Sequence, residues 1–162
     1  MRELTPEEIA LGLRAVKAGW CFEPGDVLRN VVHAGGNHYA GQAVTLLHAD
    51  PLTGGLRYIG TGADATPFRD GRAGTNDHGP DASLRGWTFI PDPTARGFVS
   101  AALEQVRERT GRDAWVEPGY GGEWRTFSRD PLWPDSCSET GPAIGVGATE
   151  AEAAVAALEA TR

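Results

Sequence analysis

Lysine is almost missing from this chain: Lys17 stands alone among fifteen basic residues, and the rest are arginine. Neither type gathers into a run, and the formal net charge is -7 with a pI near 5.0. The summed field therefore repels phosphate, which excludes nonspecific binding to duplex nucleic acid in the absence of a local basic patch. Alongside 22 glycines and abundant alanine, the arginine bias fits a GC-rich coding background better than a chemical requirement. Long apolar runs are missing too, and none approaches the ~20 residues that span a bilayer. The beginning, Met-Arg-Glu-Leu-Thr-Pro-Glu-Glu, lacks the apolar segment of a secretory signal and is too acidic for a transit peptide. The expected location is the cytoplasm. Cysteine is scarce: Cys21 and Cys137 match no metal or redox spacing, and both are expected as free thiols.

Catalytic signatures are equally scarce. No serine sits in a Gly-x-Ser-x-Gly elbow, and Cys137, between Ser136 and Ser138, has no activating neighbour in sequence. Gly60-Thr61-Gly62 is not a phosphate loop. Gly145-Val146-Gly147 comes closer because a helix follows it, but the third glycine and the downstream lysine or acid are missing, and Glu150 and Glu152 already occupy the positive helix end. These absences leave a chain of 162 residues, 40% hydrophobic and 23% charged, with the size and composition of one globular domain.

Three helix starts are clearly written. Thr149-Glu150-Ala151-Glu152 is a capping box, in which Thr149 accepts from the Glu152 amide and the Glu152 carboxylate reaches back to the Thr149 amide. Thr5-Pro6-Glu7-Glu8 repeats the pattern with proline at the first helical position, and Ile9, Leu13, Val16 and Trp20 supply an apolar face ending near Ala18 and Gly19. Asp92-Pro93-Thr94 opens a third helix, with Phe98, Ala102, Leu103 and Val106 inward and Thr110-Gly111 closing it.

Between these helices the chain reads as strands. Val27 to His33, Gln42 to Ala49 and Leu56 to Gly60 form an antiparallel meander, Gly86 to Ile90 is a short strand stopped by Pro91, and Ala114 to Glu117 pairs with Glu123 to Ser128 across Pro118-Gly119-Tyr120-Gly121-Gly122. Residues 62 to 83 are rich in Gly, Pro and Asp, with Phe68 their only large apolar residue, and are expected as a long polar loop. The reading is one α+β domain over residues 1–162, a mainly antiparallel sheet with about three helices packed on one face.

Gly19-Trp20 with Pro24-Gly25, Gly86-Trp87 through Pro91-Asp92-Pro93-Thr94, and Gly147-Ala148-Thr149-Glu150-Ala151-Glu152-Ala153 together form a layout. It resembles a loose group of small uncharacterised proteins encoded by bacteriophages and prophages, over about half the chain. The resemblance implies a phage context, hence the host cytoplasm, and a small α+β fold. It carries no catalytic residue.

Three constellations remain. His33, His38 and His48, with Asp50 two residues beyond His48 on the same strand face, form a candidate site for a divalent metal if their strands pair, although surface histidines explain them equally. Asp77-His78 with Asp81 is a possible acid/base pair, or simply solvated loop charge. The aromatic and arginine set Arg85, Trp87, Tyr120, Trp124, Arg125, Phe127 and Trp133 offers a stacking or hot-spot surface if Tyr120, Trp133 and an arginine are exposed together. The competing reading buries Trp87, Trp124 and Phe127 beneath the second and third helices. The expected function is a non-enzymatic binding module for a protein or small ligand, with His78, Tyr120, Arg125 and Trp133 as binding residues. No cofactor is required by this reading. The alternative is a small metal-dependent or nucleotide-processing enzyme built on His33, His38, His48 and Asp50.

Overall fold

The computed structural model describes residues 2–32, 43–49, 56–60, 74–76, 88–129 and 141–162. Among these residues three helices and eight strands make an α+β fold with two antiparallel sheets. The chain forms two compact units, one of residues 1–17 and 21–95, the other of 18–20 and 96–162.

In the first unit, α1 (Pro6–Lys17) starts with the expected reciprocal cap: the Glu8 amide donates to Thr5 Oγ1 at 3.3 Å and the Thr5 amide to Glu8 Oε2 at 2.8 Å. Its buried face is Leu11, Gly12, Ala15 and Val16, whereas Leu13, expected inward, is 41% exposed. The face is turned by Gly12, which packs on Ile90 so closely that a Cβ there would lie 2.5 Å from Ile90 Cδ1.

The sheet of this unit contains β1 (Val27–Val32), β2 (Ala43–Ala49), β3 (Leu56–Gly60), β4 (Gly74–Asn76) and β5 (Thr88–Pro91), in the order β4-β3-β2-β1-β5. The meander is as read from sequence. The expected loop 62–83 is interrupted by β4, where Gly74, Thr75 and Asn76 pair with Tyr58, Arg57 and Leu56. Three residues without apolar periodicity leave no strand signal, and only the β3 edge supplies one. Leu28, Val44, Leu46 and Phe89 form the core of the sheet, with Phe22 packed against it.

Within this unit lies a buried ion pair. Arg29 Nε donates to Asp92 Oδ2 at 2.7 Å, each side chain being 5% exposed, and Asp92 Oδ1 accepts from the Thr94 amide at 2.9 Å and from Thr94 Oγ1 at 2.6 Å. Asp92 is therefore not the N-cap of a helix. Its amide donates to Val27 O, continuing the sheet, and its carbonyl accepts from Ala95 in a turn. The helix begins later, as α2 (Phe98–Thr110), after Gly97.

In the second unit α2 precedes β6 (Asp113–Pro118), β7 (Trp124–Arg129), β8 (Gly145–Gly147) and α3 (Glu150–Ala160), and the sheet runs β6-β7-β8. Phe98, Ala102, Leu103 and Val106 are buried as expected, and Trp20 stacks on Phe98 with ring centroids 5.1 Å apart. Arg109 fastens three carbonyls: Nη1 donates to Ala18 O at 2.9 Å and to Leu158 O at 3.1 Å, and Nη2 donates to Gly19 O. In α3 the Glu152 amide donates to Thr149 Oγ1 at 3.2 Å, but the returning carboxylate takes the Ala148 amide, at 2.7 Å, in place of that of Thr149. The three helices are thus divided between the units, one in the first and two in the second. Among the described residues no helix is long and apolar enough to cross a membrane.

Candidate functional site

The second unit's sheet has two unlike faces, and strand alternation with the register assigns every side chain to one of them. Val116, Thr126 and Gly145 share one face, as do Pro118, Trp124 and Gly147. This face lies under α3. A Cβ at Gly145 would stand 2.5 Å from the Ala157 amide nitrogen, and one at Gly147 2.5 Å from that of Ala153, so only glycine lets β8 and α3 approach this closely. Thr126 is fully buried here, and its Oγ1, like Ser128 Oγ, has no hydrogen-bond partner among the described residues.

The opposite face carries Asp113, Trp115 and Glu117 from β6, Phe127, Arg125 and Arg129 from β7, and Val146 from β8. Trp115 and Phe127, directly opposed, stack with centroids 5.8 Å apart. Phe127 is buried, but on the face away from α3, so it does not lie beneath that helix. Trp124 does face that core and is half-buried. Val146 is 54% exposed.

The tip joining β6 to β7 is built around one carboxylate. Arg125 donates to Glu123 Oε1 through Nε at 2.9 Å and Nη2 at 2.5 Å. Glu123 is held below the ordinary carboxylate range, first by its own backbone amide, then by Arg125, with the Gly121 amide adding to the effect. The carboxylate lies across the turn where side chains are missing: a Cβ at Gly119 would meet Glu123 Oε1 at 2.7 Å and Arg125 Nε at 2.9 Å. The Gly119 amide donates to Glu123 O at 2.7 Å and closes the hairpin. Tyr120 stands on this fastened turn with its whole side chain in solvent, at 107% relative exposure.

Of the expected binding residues, Tyr120 and Arg125 therefore meet at one hairpin tip, Arg125 by fixing the turn that presents Tyr120. His78 and Trp133 lie outside the described residues, as do Arg85 and Trp87 apart from their sequence context. Of the expected metal residues, His33, His38 and Asp50 also lie outside them, as do Asp77 and Asp81. His48 is placed on β2, opposite Arg57 and beside a register irregularity. Among the described residues no group of three or more His, Cys, Asp or Glu is arranged to hold a metal ion. Cys21 is exposed, and Cys137 lies outside the described residues.

Three residues of this site were not singled out from sequence: Trp115, Glu123 and Val146. The hairpin register pairs Trp115 with Phe127, and counting outward from the Gly-rich turn would have found it. Glu123 and Arg125 are two apart on one strand and share a face, a spacing that permits their pairing. Comparison of the chain with protein-family models, with curated proteins and with solved structures finds no match in any of the three.

Proposed function

We propose that this chain is a non-enzymatic binding module that engages a protein partner through the β6–β7 hairpin, with Tyr120 as the anchor. The observation that carries this reading is the full exposure of Tyr120 on a turn fixed by Glu123 and Arg125. A tyrosine left wholly in solvent forgoes about 1.5–3 kcal/mol of burial, the scale for a large apolar side chain. On a fixed turn only its two side-chain torsions remain to be ordered on binding, which makes it an inexpensive hot spot. A protruding tip fits a pocket on a partner better than it encloses a small ligand, since small-ligand sites are concave. In the phage setting suggested by the sequence resemblance, the partner is a host-cell protein.

The test compares the proteins retained from bacterial lysate by the full chain and by its Tyr120→Ala variant. A specific partner held by the full chain should fall at least tenfold in the variant while the thermal melt stays unchanged, a loss at the scale of a hot-spot truncation. Equal retention by both proteins, or no specific retention by either, refutes the reading.

A further inference from the structure

The end of the β6-β7-β8 sheet that presents Tyr120 is acidic. Glu117 stands opposite Arg125 one row before the turn, and Glu123 closes the turn itself. The last row, Pro118, Trp124 and Gly147, brings α3 to the same end, because Gly147 abuts Glu152 and Ala153. The first turn of α3 therefore adds Glu150 and Glu152. Within these two rows, the hairpin turn and the first turn of α3, Arg125 is the single cation, so four carboxylates face one guanidinium. Glu117 and Glu150 are exposed.

Only one of these carboxylates is neutralised by an ion pair, that of Glu123 with Arg125. Glu152 accepts from the Ala148 amide at 2.7 Å and Glu117 from Trp115 Nε1 at 3.3 Å, and both donors are neutral, which leaves the negative charge in place. The partial positive charge of the α3 N-terminus offsets only a fraction of it. At the other end of the sheet the acids are matched: Arg107 pairs with Glu104 at 2.9 Å and with Asp113 at 3.1 Å, and Arg129 stands opposite Asp113. The acidic excess thus belongs to the end from which Tyr120 protrudes.

We infer that the protein partner receives Tyr120 in a pocket ringed by arginine or lysine. This rests on the reading of Tyr120 as the anchor and adds the chemistry of what accepts it. A rim of like charge would cost several kcal/mol on approach, whereas a basic rim meets Glu117 and Glu150 on either side of the inserted ring. Phosphate-bearing partners are repelled by the same charges. The anchor and the rim also act on different rates. Exposed rim charges steer the encounter and set its salt dependence, while a desolvated aromatic anchor holds the complex together once formed.

The test takes the protein that the full chain retains from bacterial lysate, identifies it by mass spectrometry, and measures its association and dissociation in purified form by surface plasmon resonance at low and high salt. Association should slow as salt rises, and Glu117→Gln with Glu150→Gln should slow it by roughly three- to tenfold at low salt with dissociation little changed. Glu108→Gln, an exposed acid in the last turn of α2, should leave both rates as they are. Tyr120→Ala should speed dissociation instead. A partner whose association ignores both salt and the double substitution overturns the basic rim and leaves the anchor standing. An effect of Glu108→Gln equal to that of the double variant also overturns the rim, since the attraction would then be to the whole chain. No specific retention, or dissociation unchanged in Tyr120→Ala, removes the anchor and the rim together.

Discussion

Replacing Gly145 with alanine places a methyl group where α3 already lies. The new Cβ would stand 2.5 Å from the Ala157 amide nitrogen and 2.9 Å from Ala157 Cβ, against an ordinary contact of 3.4–4 Å. The first neighbour is backbone in the middle of a helix and cannot swing aside, so β8 and α3 must separate by nearly an ångström. That motion opens the contact between β8 and the Ala153–Leu158 face, which is fully buried. Overpacking of this kind costs about 1–3 kcal/mol, and the loss of unfolded-state freedom when glycine becomes alanine returns about 0.4–1 kcal/mol of it. The expected net loss is about 1–2 kcal/mol, and each kcal/mol lowers the melting point of a unit of 60–100 residues by roughly 4–8 °C. Gly97→Ala is the matched control: its φ of -89° suits alanine and a Cβ there meets nothing within 4 Å, so its stability should be unchanged or slightly raised. Thermal melts of the two variants followed by circular dichroism decide the matter. A Gly145→Ala protein as stable as the parent would show that the glycines of β8 are not there for the approach of α3.

Three further substitutions probe other parts of the fold. Thr126→Val removes a fully buried hydroxyl that has no partner among the described residues and keeps its branched shape, so urea denaturation should show a gain of about 1 kcal/mol or more, the desolvation cost of an unsatisfied hydroxyl. Among the described residues, Arg29→Leu leaves the buried Asp92 carboxylate with only the Thr94 donors, and a loss of about 3–5 kcal/mol is expected in the same assay, as for any buried pair broken on one side. Glu123 has a lowered pKa in the folded chain, so its hold on the turn is complete above the ordinary glutamate value of about 4.3 and fades only as pH falls through the lower folded value. The Gly121 amide shift, followed by NMR, should titrate with a midpoint below that of free glutamate and should lose the transition in Glu123→Gln. A midpoint at or above the ordinary value contradicts the pinned turn.

The helix ends and the meander were legible in the sequence because local chemistry decides them. Thr5 and Glu8 cap each other as their spacing requires, and Thr149 accepts from Glu152 for the same reason. Legibility failed where a distant residue competes for a local group. Asp92-Pro93-Thr94 has the form of a helix start, but the Asp92 carboxylate is claimed by Arg29, 63 residues away, and its amide by Val27. Leu13 has the spacing of a core residue, yet the small size of Gly12 rolls the helix onto Ile90 and leaves Leu13 outside. At Thr149 the failure is finer. Gly147 has no side chain, Glu152 packs over it, and the carboxylate settles one amide earlier than the box predicts.

At the candidate site the same division holds, and it bears on how function can be sought in such a chain. Tyr120 was visible as an aromatic in a glycine turn, but exposure belongs to the folded chain, and nothing in Gly119-Tyr120-Gly121-Gly122 says whether the ring folds back or points out. What settles it is Glu123, whose carboxylate fills the space above Gly119 and Gly121 that a folded-back ring would need. The glycines there and the glycines of β8 thus serve opposite ends. At the tip they admit a carboxylate that stiffens a turn, and in β8 they admit a helix that buries one face of the strand.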